Sequence, residues 1–315
     1  MILHKRGVTM TEHKKGMLFA FAAYTIWGVF PLFWKLLDHV SSLEILLGRV
    51  IWSFVFTTIF IVLIGKRKQL MEDLSYLWHN KRQFYSLMAA SFFISINWYI
   101  YIWAVTHERV LEASMGYYIN PIISVVFGML FFKEKLSRST IIALVVALLG
   151  VLVMTLNYGQ VPWASLLLAF SFAVYGVLKK RIVLEATRGL AIETLFIVPI
   201  ALLYYLYLFS NDSMQFLHVN WQTDILMMIS GIFTAIPLIL FAKGAQRIPM
   251  YLLGFIQYVS PTIGFFLGVF LYKEPFTQVE LVAFGCIWTA IAIFSYSSIH
   301  EARKRHALQT KEIKQ

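Results

Sequence analysis

The sequence predicts an all-helical integral membrane protein: ten transmembrane helices, arranged as two inverted five-helix repeats, with both termini cytoplasmic. Three observations carry this. First, 59% of the 315 residues are hydrophobic and only 14% are charged, with a mean hydropathy of +0.72, whereas soluble domains are about half apolar and about a quarter charged. Second, the chain holds ten apolar runs long enough to cross a bilayer core of about 30 Å, which takes about 20 residues of helix. Third, a motif near the end of the first half returns 140 residues later in the second. The apolar runs are continuous rather than alternating, which selects helices over a barrel.

Taken in order, residues 1–16 are a polar, basic cytoplasmic tail. The runs follow at 17–37, 44–65, 84–105, 111–132, 139–156, 162–178, 190–210, 224–243, 250–272 and 278–298, and residues 299–315 form a basic cytoplasmic tail. The first run is long and lacks a small-x-small exit, so it reads as a span and not as a cleavable signal. The longest connection, 66–83, has room for a short surface helix. The single cysteine, Cys286, lies in an apolar run, which excludes an intramolecular disulfide and a Cys-based zinc site.

Charge sets the orientation. With the N-terminus inside, 23 of the 27 Lys and Arg residues fall on the cytoplasmic side; Lys35, Arg109 and Lys273 fall outside, and Arg49 lies within a span. That asymmetry predicts both termini inside. It also turns the net charge of +11 into a membrane-face property and excludes nucleic acid as a partner.

The repeat aligns "YINPIISVVFGMLFFKEKLS" (118–137) with "YVSPTIGFFLGVFLYKEPFT" (258–277), with six of twenty positions identical, including Tyr118/Tyr258, Pro121/Pro261, Gly128/Gly268 and the Lys133-Glu134/Lys273-Glu274 pairs. At a similar offset "WGVF" (27–30) meets "YGVL" (175–178), and "LEIL" (43–46) meets "IETL" (192–195). The halves are 17–156 and 162–298. Five spans per half is odd, so the second half is inverted, an architecture of secondary transporters with a solute site between the repeats.

These features resemble the EamA transporters of the drug/metabolite transporter superfamily. Within that family, "YTIWGVFPLFWKLL" (24–37), "EILLGRVIWSF" (44–54), "NWYIYIWAV" (97–105) and "EASMGYYINP" (112–121) are similar to the RarD proteins of bacteria, over roughly residues 17–298. The resemblance implies a ten-span EamA-type fold and a multi-pass permease of the bacterial inner, or plasma, membrane. Relatives in the wider family export amino acids and other small metabolites, so it implies a reaction type but not a cargo.

Polar groups within spans are costly against lipid and face a bundle interior or a cavity. At about 1.5 Å of rise per residue, Arg49, Asn97 and Asn120 lie about 7, 12 and 13 Å from the outer end of their spans, close to one level. Arg49 offers a fixed, planar positive charge for a carboxylate or phosphate, and the asparagines could orient the ligand. The alternative for Arg49 is snorkelling to the outer interface or a pairing with Glu44 or Glu112. Trp98, Tyr101, Tyr117, Tyr118, Trp27 and Phe30 crowd the same region as pocket walls or as packing. Gln257, Tyr258 and Ser260 are the counterparts in the second half, where Pro237 replaces Asn97. Pro121 and Pro261 each free a backbone carbonyl and kink their helices. The Lys-Glu pairs read as interface anchors. Glu44, Glu112, Glu193 and Glu280 sit near span ends, so no proton-coupling group stands out.

No catalytic set, metal-ligand set, cofactor motif or nucleotide-binding loop is present in the sequence, which predicts no enzyme and no cofactor. The predicted function is a secondary transporter of small organic metabolites or drugs by alternating access. A membrane-embedded enzyme or a partner-binding protein is the other class weighed. The predicted partners are a small-molecule substrate and the lipid bilayer, and a homodimer is left open.

Overall fold

The computed structural model describes the backbone over residues 2–107, 109–273 and 277–313, and side chains over 12–104, 107, 109, 112–273, 277–297 and 300. Among the described residues every regular element is a helix. In the first half these are α1 (Ile2–Trp34), α2 (Ser42–Leu63), α3 (Arg67–His79), α4 (Lys81–Thr106), α5 (Val110–Phe132) and α6 (Arg138–Tyr158). In the second they are α7 (Trp163–Arg181), α8 (Ala186–Leu195), α9 (Val198–Ser210), α10 (Trp221–Ala245), α11 (Met250–Gln257), α12 (Val259–Phe266) and α13 (Gln278–Ile313). The connection expected to hold a surface helix does so, as α3.

Nine described segments are long and apolar enough to cross a membrane, and α8 with α9 supplies the tenth as a pair bent by 46°. The chain is a multi-pass membrane protein. Leu63, Leu130, Leu156, Leu203 and Phe270 are exposed on the outside of the bundle, where hydrocarbon takes the place of water.

The bent span corrects the single run at 190–210. Pro199 stands in the first turn of α9 and has no amide to give Leu195. The amide of Ile197 turns instead to the Thr194 carbonyl at 2.9 Å. This releases the Glu193 carbonyl, which Ser91 Oγ of α4 takes at 2.8 Å. The start of α8 was missed because Thr187 and Arg188 are polar; Glu185 caps it by accepting from the Thr187 and Arg188 amides.

The halves interlock rather than forming separate lobes. Repeat-related spans pack on each other, α6 on α13, α5 on α11 and α2 on α8, while α4 packs on α7 as α10 packs on α1. The Tyr258 hydroxyl donates to the carbonyl of Tyr118, its own counterpart, at 3.3 Å, so the pseudo-twofold axis runs between them. That carbonyl lies three residues before Pro121, beside the one at 117 that the proline leaves without a donor. α5 continues through Pro121. The corresponding span of the second half is interrupted at Tyr258, just before Pro261, and ends in a π-helical stretch, Leu267–Leu271.

The Lys-Glu motifs do more than mark an interface. Lys133 and Lys273 both adopt left-handed backbone, φ 53° and 54°, so the turn itself is repeated. Glu134 faces inward: its two oxygens accept from the amides of Met250 at 2.7 Å and Tyr251 at 3.0 Å. It is the N-terminal cap of α11, satisfying amides that a helix start leaves unpaired. Glu274 lies outside the described residues. Nearby, Lys180 Nζ donates to the carbonyls of Ala245 and Ile248. These contacts draw α5, α7, α10 and α11 together at one end of the bundle, under a cavity of about 590 Å³ lined in part by Lys135, Arg247 and Gln246.

Candidate functional site

At the opposite end Arg49 is brought to a cluster of rings from three other helices. Its guanidinium lies 4.5 Å from the Trp98 ring centroid and 5.4 Å from that of Trp34. Its Nε is buried and has no hydrogen-bond partner. Tyr101 and Tyr117, 6.1 Å apart and near edge-on, lie close enough to interact electrostatically with the guanidinium. They keep 39% and 43% of their surface accessible. Half-exposed rings gathered around one guanidinium form the walls of a shallow cleft. The cleft is bounded by α1, α2, α4 and α5.

The pairing alternative for Arg49 is removed, because both glutamates are fully buried and engaged elsewhere. Glu44 accepts from the amides of Gln215 and Phe216, at 3.0 and 2.8 Å. Glu112 takes Arg109 at 2.8 Å, the Tyr158 hydroxyl at 2.6 Å and the Ala164 amide at 3.0 Å. Each saturates its carboxylate locally, so neither is left to neutralise Arg49. A buried or half-buried charge without a partner is costly.

The other expected residues divide. Arg49, Trp98 and Tyr101 share the cleft. Asn97, one residue from Trp98, spends its amide on the Leu168 carbonyl at 2.8 Å and on Ser171 Oγ at 3.0 Å, tying α4 to α7. Asn120 is buried and its Oδ1 accepts from Ser124 at 3.1 Å. Gln257 Oε1 accepts from the Tyr24 hydroxyl at 3.3 Å. Tyr118, Tyr258, Asn120 and Gln257 thus belong to the packed seam between repeats. Trp34 is the cleft residue that sequence reasoning missed; its only signal is a position three residues before the end of its apolar run.

A second polar cluster was missed altogether. Lys179, counted with the cytoplasmic charges in the sequence, is instead buried and paired with Glu193 at 2.7 Å, each side chain only 2% exposed. The run "KKR" at 179–181 hides it, since of the three only Lys179 is fully buried, on the α7 face that carries Tyr175.

The same architecture is found in known proteins. The EamA-like transporter family matches residues 14–156 and, separately, 161–296. The chain belongs to that family. As an EamA-like protein it is a membrane transporter of the drug/metabolite type, and its likeness to RarD proteins extends along almost the whole chain. It is 45% identical to the uncharacterized transporter YojE of Bacillus subtilis, covering 94% of this chain and 99% of that one. It is 39% identical to an uncharacterized transporter of Vibrio cholerae (93% and 97% covered) and 39% identical to Protein RarD of Escherichia coli (93% and 98%). A protein of known crystal structure, 18% identical, superposes with a TM-score of 0.66 over 88% of this chain and 96% of its own; that likeness concerns the EamA-like fold alone.

Proposed function

We propose that this EamA-like protein is a secondary transporter that carries small organic anions, binding their carboxylate or phosphate at Arg49 and moving them by alternating access between its halves. The observation that carries the reading is the guanidinium of Arg49, without an acidic partner among the described residues, held against Trp98 and Trp34 beside two accessible tyrosines. A guanidinium offers paired donors to a planar carboxylate or to phosphate, and the rings add stacking surface for the organic part. The distribution of basic residues supports a bacterial inner-membrane location with both termini cytoplasmic.

Comparative metabolomics of spent medium from deletion and overexpression strains identifies the solute, and its flux is then measured in vesicles. Losing a charge-assisted contact of about 1.5–3 kcal/mol predicts that Arg49→Ala reduces flux by about 10- to 100-fold at sub-saturating solute. Arg49→Lys retains the charge without the fork and is expected to fall in between. Unchanged flux in folded Arg49→Ala protein would reject the site.

A further inference from the structure

The buried pair of Lys179 and Glu193 has no role in binding at Arg49, and its surroundings are unusual. The two side chains meet at 2.7 Å inside the bundle. Tyr175, one turn before Lys179 on α7, is fully buried, and its hydroxyl lies close to the same carboxylate. Lys179 Nζ lies 5.7 Å from the Tyr175 ring centroid. Glu193 is two residues from the end of α8, where the span breaks, and its own carbonyl is the one freed by that break and held by Ser91. Just beyond the break, Ile197 and Val198 are packed with Val50, the neighbour of Arg49, and with Trp98, the ring on which Arg49 rests.

The repeat makes the chemistry pointed. Glu193 is the counterpart of Glu44, but Glu44 accepts from two backbone amides, whereas Glu193 is met by side chains, Lys179 with Tyr175 close by. A buried ion pair contributes little stability over an apolar pair. Ionisable side chains within membrane spans mark ion and proton pathways.

We propose that Glu193, paired with Lys179 and flanked by Tyr175, is a proton-binding site that couples proton movement to the α8–α9 break and through it to the Arg49 cleft. The carboxylate takes a proton from hydronium, forming its O–H bond and leaving water. The Lys179 ammonium keeps its three protons and loses its counter-ion. A lone buried ammonium then favours a rearrangement of α7 against α8 that gives it water or another acceptor, and deprotonation of Glu193 restores the pair. The other groups facing this site do not compensate the change. α4 presents Ser91 and carries no ionisable residue between Tyr85 and Tyr99; α9 carries only tyrosines. α2 carries Glu44 and Arg49 near its start, and α10 carries Asp224 and Lys243 near its two ends. α3 meets the start of α8, where its Asp73 already holds Arg188.

The purpose given to this site rests on the transport reading, but the proton site is tested without any solute. The full-length protein is reconstituted in lipid vesicles and pH-difference infrared spectra are recorded from about pH 8 to about pH 5. A carboxylic acid band that titrates in the wild type is expected to disappear in Glu193→Gln and to persist in Arg49→Ala, so failure of the Arg49 site leaves this result intact. In a Cys286→Ser background, spin labels at Leu36→Cys and Val161→Cys are expected to report a distance distribution that shifts over the same pH range. The shift should be lost in the Lys179→Met/Glu193→Gln double variant, which leaves no unpaired charge and serves if Glu193→Gln alone does not fold. The absence of any titrating band in the wild type, a band that survives Glu193→Gln, or a pH-dependent distance shift that persists in the double variant would overturn the proposal.

Discussion

An arginine resting on indole rings is held by a weak, non-saturating attraction that leaves its in-plane N–H donors free. Arg49 can therefore remain poised for an anion, in a way that an arginine bound by glutamate could not. At the same scale, Lys133 carries a backbone conformation that costs a non-glycine residue about 1–2 kcal/mol, tolerated because the turn delivers Glu134 to α11. Lys133→Gly is therefore expected to be neutral or stabilising by up to about 1 kcal/mol, after the extra flexibility of glycine in the unfolded chain is deducted. Lys133→Val should destabilise, since a β-branched residue fits left-handed backbone worst. Thermal unfolding in detergent separates the two outcomes.

Among the elements, the span made of α8 and α9 and the junction of α5 with α11 share one logic. A helix end or break inside a membrane must find partners for every backbone group it frees. Ser91 provides one at Glu193, Tyr258 one at Tyr118, and Glu134 provides two at Met250 and Tyr251. Removing the last of these by Glu134→Ala leaves two amides without their acceptor, at a cost of about 1–3 kcal/mol. Glu134→Gln, which keeps one acceptor oxygen, should cost less. A lowered unfolding temperature, with faster hydrogen exchange at the Met250 and Tyr251 amides, checks this. A cost confined to the global unfolding temperature, without local exchange, would show that the cap is not what holds α11.

For the whole molecule, the interlocking of repeats determines how it assembles. α5 lies on α7, α2 on α10 and α6 on α13, so neither half contains a core of its own. Gly231 shows how closely they approach: a Cβ there would stand 2.6 Å from the Ser53 amide nitrogen, and Ser53 Oγ donates to the Gly231 carbonyl at 2.9 Å. Residues 1–158 and 162–315, produced as separate chains, are expected to co-purify when co-expressed, and each is expected to be degraded or aggregated when expressed alone. Two fragments that each yield stable, monodisperse protein would contradict the interlocked core.

By itself, the sequence determined the number of crossings, the repeat, its inversion and the family, because each depends on hydropathy and spacing along the chain. It also singled out Arg49, since an arginine inside an apolar run is conspicuous without any neighbour. What it could not supply was pairing across the bundle. Whether Arg49 met Glu44, Glu112 or only aromatic rings depends on which faces of α2, α4 and α5 converge. Asn97 and Asn120 sit at similar depth, yet they face different helices, because depth follows the rise of one helix while orientation follows its packing against others. Lys179 and Glu193 are fourteen residues apart on two helices, and only the turn between α7 and α8 brings opposite charges together where lipid would forbid either alone. The tertiary structure decided which charges find an acidic partner and which one rests only on aromatic rings.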